Sequence, residues 1–239
     1  MAQTAFVTGA DRGLGSALVA GLLEQGWCVF AGQHRPAWPE LGALAARYPS
    51  TLHRIPLEVT ALESVRAAAQ AVSSVVDHLD LLINNAGVGT PAGARSIHEA
   101  QDYAEMQRVY DVNALGPLRM VDAFLPLTGR GTGKRLCFVS SEAGSIARAT
   151  RTREFGYCMS KAALNMATKI LHNDLHHAGY TFRIYHPGWI RSYMSGSKAT
   201  EGDMEPEEAA GPALAYFLQP REDEDRLVLR DWLGREWPW

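Results

Sequence analysis

The sequence is poor in cysteine, has no long apolar run and carries no excess of positive charge. Its three cysteines, Cys28, Cys137 and Cys158, are odd in number and scattered. That suits free thiols in a reducing compartment better than a disulfide framework. Cysteine and histidine are nowhere grouped at metal-ligand spacing, so no metal is expected. No stretch approaches the roughly 18 consecutive apolar residues of a membrane span, and no membrane partner is expected. With 26 acidic against 23 basic side chains, the formal charge is −3. Such a surface offers no basic field to nucleic acid. Met1–Val7 lacks the basic region and cleavage site of a secretory signal, and reads instead as a first strand. A cytoplasmic protein is the expectation.

What is present is alternation. Short apolar runs at Ala5–Thr8, Cys28–Ala31, Leu52–Leu57, Leu79–Ile83, Leu136–Ser140, Phe182–His186 and Arg226–Leu229 read as strands. Helical spacing separates them: Leu14, Leu18 and Leu22; Leu62, Val65, Ala69, Val72 and Val76; Tyr103 to Phe124; and Tyr157 to about Ala178. A last helix follows Pro206, with Glu205, Glu207 and Glu208 on the positive end of its dipole. Gly26 sits where a left-handed residue would close the first helix. Continuous apolar strands joined by helices indicate an α/β fold, a doubly wound parallel sheet of about seven strands covered on both faces. Neither a repeat nor a composition shift divides the 239 residues, so one domain over 1–239 is expected.

Thr8-Gly9-Ala10-Asp11-Arg12-Gly13-Leu14-Gly15 joins the first strand to the first helix. Glycines there allow a tight turn and a close backbone approach to a pyrophosphate, which the helix N-terminus holds through free N–H groups. Three residues separate the first two glycines, so this is not GxGxxG. It resembles the TGxxxGxG loop of the short-chain dehydrogenase/reductase family. A free ribose 2′-hydroxyl is usually gripped by an acid after the second strand, yet Ala31-Gly32-Gln33-His34-Arg35-Pro36 contains none. A guanidinium there attracts a 2′-phosphate instead. Arg12 with His34 or Arg35 forms a candidate clamp, unless Arg35 simply points to solvent. NADP(H) is therefore expected in preference to NAD(H).

Tyr157 and Lys161 lie four residues apart and share one helix face. Hydride transfer to a carbonyl leaves an alkoxide that needs a proton. A tyrosine titrates near ~10 and handles that proton only where a cation stabilises its anion, a role open to Lys161. By its place at the carboxyl end of the fifth strand, a serine of Ser140-Ser141 can bond the substrate oxygen. Ser141 is favoured and Ser140 expected to face the strand's flank.

The family resemblance extends these readings over essentially the whole chain. Ser141, three residues before Gly144, matches the catalytic serine, and Tyr157 and Lys161 match the catalytic pair, with Lys161 also orienting the ribose. The segment from Ser141 to Tyr157 is a few residues longer than is common. Asn84-Asn85-Ala86-Gly87 resembles the NNAG element, which implies Asn85, Ala86 and Gly87 at the adenosine side. Asn113 matches the fourth catalytic residue, which kinks its helix and places a water beside the lysine. Pro187, Gly188, Ile190 and Ser192 resemble the PGxVxT segment beside the nicotinamide, and Glu58-Val59 resembles an Asp-Val pair at adenine, with a longer acid. The resemblance implies a Rossmann-like fold, a homodimer or homotetramer, and a small-molecule carbonyl or alcohol substrate. Within the family the chain is most similar to carbonyl reductases of the C-factor and Sniffer type.

The resemblance puts substrate contacts in two loops. One carries Trp189, Tyr193 and Met194, suited to a hydrophobic carbonyl compound, although Trp189 could equally be a core residue. The other carries Arg148, Arg151 and Arg153, which either draw in an acidic substrate or are merely solvated. A cofactor-binding sensor without turnover is the competing reading; such proteins usually lack the tyrosine or lysine. An epimerase or dehydratase is disfavoured, since no substrate domain follows the sheet.

Overall fold

The computed structural model describes residues 2–35, 38–90, 95–194 and 198–239. Eight strands form one sheet: β1 (Thr4–Val7), β2 (Cys28–Gln33), β3 (Leu52–Pro56), β4 (Leu81–Asn84), β5 (Arg135–Val139), β6 (Thr181–His186), β7 (Leu229–Asp231) and β8 (Glu236–Trp237). Their order is β3-β2-β1-β4-β5-β6-β7-β8. The first seven run parallel and β8 pairs antiparallel with β7. The doubly wound sheet expected from the alternation is present, with one strand more. Strand β8 has only two residues, too few for an apolar pattern; Asp231 makes its turn by accepting from the N–H groups of Leu233 and Arg235.

The helices are α1 (Gly13–Glu24), α2 (Pro39–Arg47), α3 (Leu62–Ser73), α4 (Tyr103–Tyr110), α5 (Gly116–Thr128), α6 (Phe155–Leu175) and α7 (Pro206–Leu218). Successive residues of each strand face opposite layers. Ala5, Val7, Val29 and Ala31 pack with Leu18, Leu22, Leu41 and Phe217 beneath α1, α2 and α7. Phe6, Phe30 and Phe138 pack with Val65, Phe124 and Leu164 beneath α3, α5 and α6. This is the period-two consequence of a sheet buried on both faces. Helix α2 escapes the sequence reading because only Leu41 of its nine residues is buried. The stretch expected as one helix from Tyr103 to Phe124 is interrupted by a π-helical turn at Asp111–Leu115. The first helix does close at a left-handed Gly26, and the Glu208 carboxylate accepts from the Glu205 N–H to begin α7.

Strand order reverses between β1 and β4. At such a switch point the loops leave in opposite directions and open a crevice at the carboxyl edge. The glycine loop follows β1 at that edge, and Asn85-Ala86-Gly87, Ser141 and Pro187-Gly188 follow β4, β5 and β6 there.

Candidate active site

The glycine loop is built for close approach. Gly9 and Gly13 have φ of +63° and +59°, where a side chain is strained. A β-carbon on Gly9 would lie 2.9 Å from the Ala86 Cα, and one on Gly15 only 2.1 Å from the Gly9 carbonyl oxygen. The Thr8 hydroxyl accepts from the N–H groups of Asn85 and Ala86, each at 2.9 Å, and the Asn85 amide donates to the Thr8 and Gly9 carbonyls. The Asn85-Ala86-Gly87 segment and the loop are thus one rigid unit, and Leu14 is buried behind it.

Asp11, which the sequence reading passed over, is buried and accepts from the N–H groups of His34 at 2.9 Å and Arg35 at 3.1 Å. It thereby fixes the exposed end of β2 against the loop. The Arg12 guanidinium lies 4.4 Å from the Trp38 ring centroid and 5.4 Å from that of Tyr193. Burial, and next the positive charge of Arg35, lower the Arg12 pKa from its ordinary value. A guanidinium with a second positive charge beside it can attract an anion. His34 faces the other way in charge terms: its Nδ1 is 3.0 Å from Glu58, whose carboxylate also accepts from Thr60. Val59 is buried against Gly116 at the start of α5.

At the end of β5 the two serines part. Ser140 donates to the Asn165 side-chain oxygen at 2.7 Å, toward α6. Ser141 opens a short 3-10 turn, accepts from the Ala143 N–H at 3.1 Å and donates to the Glu142 carboxylate. The Ser141 side chain also hydrogen-bonds the phenol of Tyr157. Burial pushes that phenol up to about 12, with Ser141 opposing. Burial brings Lys161 down to about 8. Its ammonium donates to the Val139 carbonyl at 2.9 Å and stands 5.8 Å from the Tyr157 ring centroid. Burial thus shifts both groups toward their neutral forms.

Asn113 lies in the π-helical turn and is fully buried. Its side chain accepts from the Val88 N–H at 2.8 Å and donates to the Val88 carbonyl and the Ser160 hydroxyl. A β-carbon on Gly87 would meet Asn113 Oδ1 at 3.4 Å and Lys161 Nζ at 3.6 Å. Asn113, Gly87 and Lys161 therefore converge, and the π-helical turn is what aims the asparagine inward.

After β6, Gly188 has φ +84° and rests on the Trp232 ring and Met204, with Pro187 buried before it. Ile190 is buried and bridges to Met204; its carbonyl accepts from the Ser192 N–H at 2.7 Å. Trp189 is 57% exposed, so it is not a core residue. Tyr193 lies against Arg12, Trp38 and Gly13, and Met194 accepts from the Gly89 N–H through its carbonyl. The segment from Trp189 to Met194 thus spans the crevice, with Tyr193 at its glycine-loop end. The basic loop is not free: Arg151 pairs with both Glu142 and Glu154, and Arg153 bridges to Ser96. No signal of spacing announced the Glu142–Arg151 pair, since it joins residues across a loop.

Residues 3–202 match the family model described as short chain dehydrogenase. The C-signal protein of Myxococcus xanthus is 43% identical over 122 residues, 51% of this chain and 72% of that protein. The NADPH-bound carbonyl reductase from chicken fatty liver superimposes with a TM-score of 0.87 at 31% identity, covering 100% of this chain and 99% of the other. Carbonyl reductase Sniffer of D. melanogaster gives a TM-score of 0.88 over 100% of both chains, and at 24% identity shares the fold.

Proposed function

The chain belongs to the short-chain dehydrogenase/reductase family of oxidoreductases, and from that premise we propose that it interconverts a carbonyl compound and an alcohol with NADP(H), Tyr157 being the general acid and base. The observation that carries this reading is the clustering of Ser141, Tyr157, Lys161, Gly87 and Asn113 beside the glycine loop at one sheet edge.

The residues present fit a nicotinamide dinucleotide. Gly9, Gly13 and Gly15 leave a cradle that β-carbons would fill, at the N-terminus of α1. Arg12, with Arg35 beside it, would hold a 2′-phosphate, and no carboxylate of β2 opposes it. Asn85, Ala86 and Gly87 would line the adenosine side, with His34, Glu58 and Val59 at its rim, and Pro187, Gly188, Ile190 and Ser192 the nicotinamide side. When bound, the cofactor supplies or accepts a hydride.

The chain handles the oxygen and the proton. In reduction, Ser141 bonds the substrate oxygen and Tyr157 passes its proton to the forming alkoxide. In oxidation, the tyrosinate takes that proton back. Lys161 stabilises the phenolate by its charge, and its own proton, held loosely, can be replenished past Asn113. Trp189 and Met194 offer apolar surface to a hydrophobic carbonyl substrate.

The test is NADPH oxidation with a panel of aldehydes, ketones and quinones, for the wild type and for Tyr157→Phe. Acceleration by some carbonyl, lost in the variant, is expected. Tight NADPH binding that no carbonyl turns into oxidation would make the chain a cofactor sensor. We also propose a homodimer or homotetramer. Tyr103, Tyr110, Leu118, Met159, Met166 and Ile170 expose apolar side chains on α4, α5 and α6, and light scattering would read the mass.

A further inference from the structure

Several arginines of this chain are held by carboxylates: Arg119 by Asp111, Arg151 by Glu142 and Glu154, Arg183 by Glu224, and Arg191 by Glu205. Such pairing fixes a guanidinium and spends its N–H groups and its charge at the same time. Arg12 is held differently. No hydrogen bond or ion pair joins its guanidinium to any of the described residues. Its central carbon instead lies over two rings, 4.4 Å from the centroid of Trp38 and 5.4 Å from that of Tyr193. Those rings meet each other edge to face, with centroids 5.0 Å apart. All three side chains are half-buried.

The cluster joins three separate segments. Arg12 stands at the residue before α1, Trp38 at the residue before α2, and Tyr193 in the segment after β6. A ring face attracts a cation without neutralising it and without taking up its donors in strong hydrogen bonds. The nearby acids do not compete for those donors. Asp11 accepts from the N–H groups of His34 and Arg35 at 2.9 and 3.1 Å, and Glu40 acts on the Arg12 charge from farther off. A long, flexible side chain that is fixed in advance spares its ligand the cost of ordering it.

We propose that Trp38 and Tyr193 are positioning residues for cofactor selection: their rings hold the Arg12 guanidinium in place with its donors uncommitted, ready for the 2′-phosphate of NADP(H). The inference rests on the oxidoreductase reading above, in which Arg12 meets that phosphate. Because Tyr193 belongs to the segment that spans the crevice, the same contact ties that segment to the glycine loop. The neighbouring Met194 carbonyl accepts from the Gly89 N–H, so the segment is held on both sides of the crevice.

The experiment is a calorimetric titration of the full chain with NADP+ and NAD+, and with the 2′- and 5′-monophosphates of adenosine. Trp38→Leu and Tyr193→Leu should each weaken NADP+ and the 2′-monophosphate about threefold, the worth of one cation–π contact. NAD+ and the 5′-monophosphate should bind as they do to wild type. Trp38→Phe and Tyr193→Phe keep a ring face and should stay near wild type for all four. Added to Arg12→Ala, either leucine substitution should weaken NADP+ no further, whereas a merely structural role would add its own loss. Leucine variants that weaken NADP+ and NAD+ alike, or weaken neither, would overturn the proposal. So would a further loss on the Arg12→Ala background. The two rings lie on different segments, so one position decides the matter if the variant at the other does not fold. An Arg12→Ala protein that still prefers NADP+ would remove Arg12 from the phosphate, and this proposal with it. Loss of that preference in Arg12→Ala but not in the leucine variants would remove this proposal alone.

Discussion

Asp80 at the amino edge of the sheet and Tyr157 with Lys161 at the carboxyl edge are all ionisable groups taken partly out of water, and the chain treats them differently. Asp80 is 3% exposed and accepts from the N–H and hydroxyl groups of Thr4 and Thr132 and from the N–H of Gly133. Burial alone would raise its pKa, yet those hydrogen bonds together hold it below the usual carboxylate range. Tyr157 has the Ser141 hydrogen bond and Lys161 donates to the Val139 carbonyl, too few to offset burial, and each is pushed toward its neutral form. Nearby, the buried Nδ1 of His186 has no hydrogen-bond partner among the described residues. Saturating donors around a charge stabilises a fold; withholding them leaves bonding capacity for a substrate.

The largest effect that would sharpen this contrast is at the carboxyl edge. Tyr157→Phe should lower kcat by about 10²–10⁴-fold, the span of general acid–base catalysis, and leave the urea midpoint nearly unchanged. A large loss of stability instead would make Tyr157 a structural residue. The mirror experiment is Asp80→Ala, expected to destabilise by about 2–3 kcal/mol through donors left without their charged acceptor. Activity per folded molecule should not change.

That second effect has a pH signature with a definite sign. The folded pKa of Asp80 lies below its unfolded value, so its contribution is present above the ordinary carboxylate range and is lost as pH falls through the folded pKa. Urea midpoints of wild type and Asp80→Asn should therefore converge in acid and separate near neutrality. A constant gap would break the contrast between the two edges. The smallest effect concerns the cofactor: Arg12→Ala should raise KM for NADPH by about tenfold relative to NADH, the worth of one charge-assisted bond. Equal changes in both constants would remove Arg12 from the 2′-phosphate.

Much of this was legible before any fold was drawn. The glycine loop, Asn85-Ala86-Gly87, Ser141, Tyr157 and Lys161 are local motifs; helix period puts Tyr157 and Lys161 on one face, and the rest were read by resemblance to the family. The choice of Ser141 over Ser140 came from the family resemblance, through its place three residues before Gly144. Helix α2 and β8 were not, since Leu41 alone anchors the one and a two-residue pairing makes the other. Asp11 was missed because its partners are the backbone N–H groups of His34 and Arg35, which every sequence contains. Arg151 looked like one of three surface arginines until the loop folded it onto Glu142.

Sequence by itself determined the α/β alternation, the family, and which short motifs to place at the sheet edge, because each is written in residues close together along the chain. Only the tertiary structure decided how those groups are charged and aimed: Arg12 between Trp38 and Tyr193, Asn113 turned inward by a π-helical turn, Ser141 donating to a carboxylate that Arg151 holds. Burial and through-space charge depend on which distant segments meet, and distance along the chain carries no record of that.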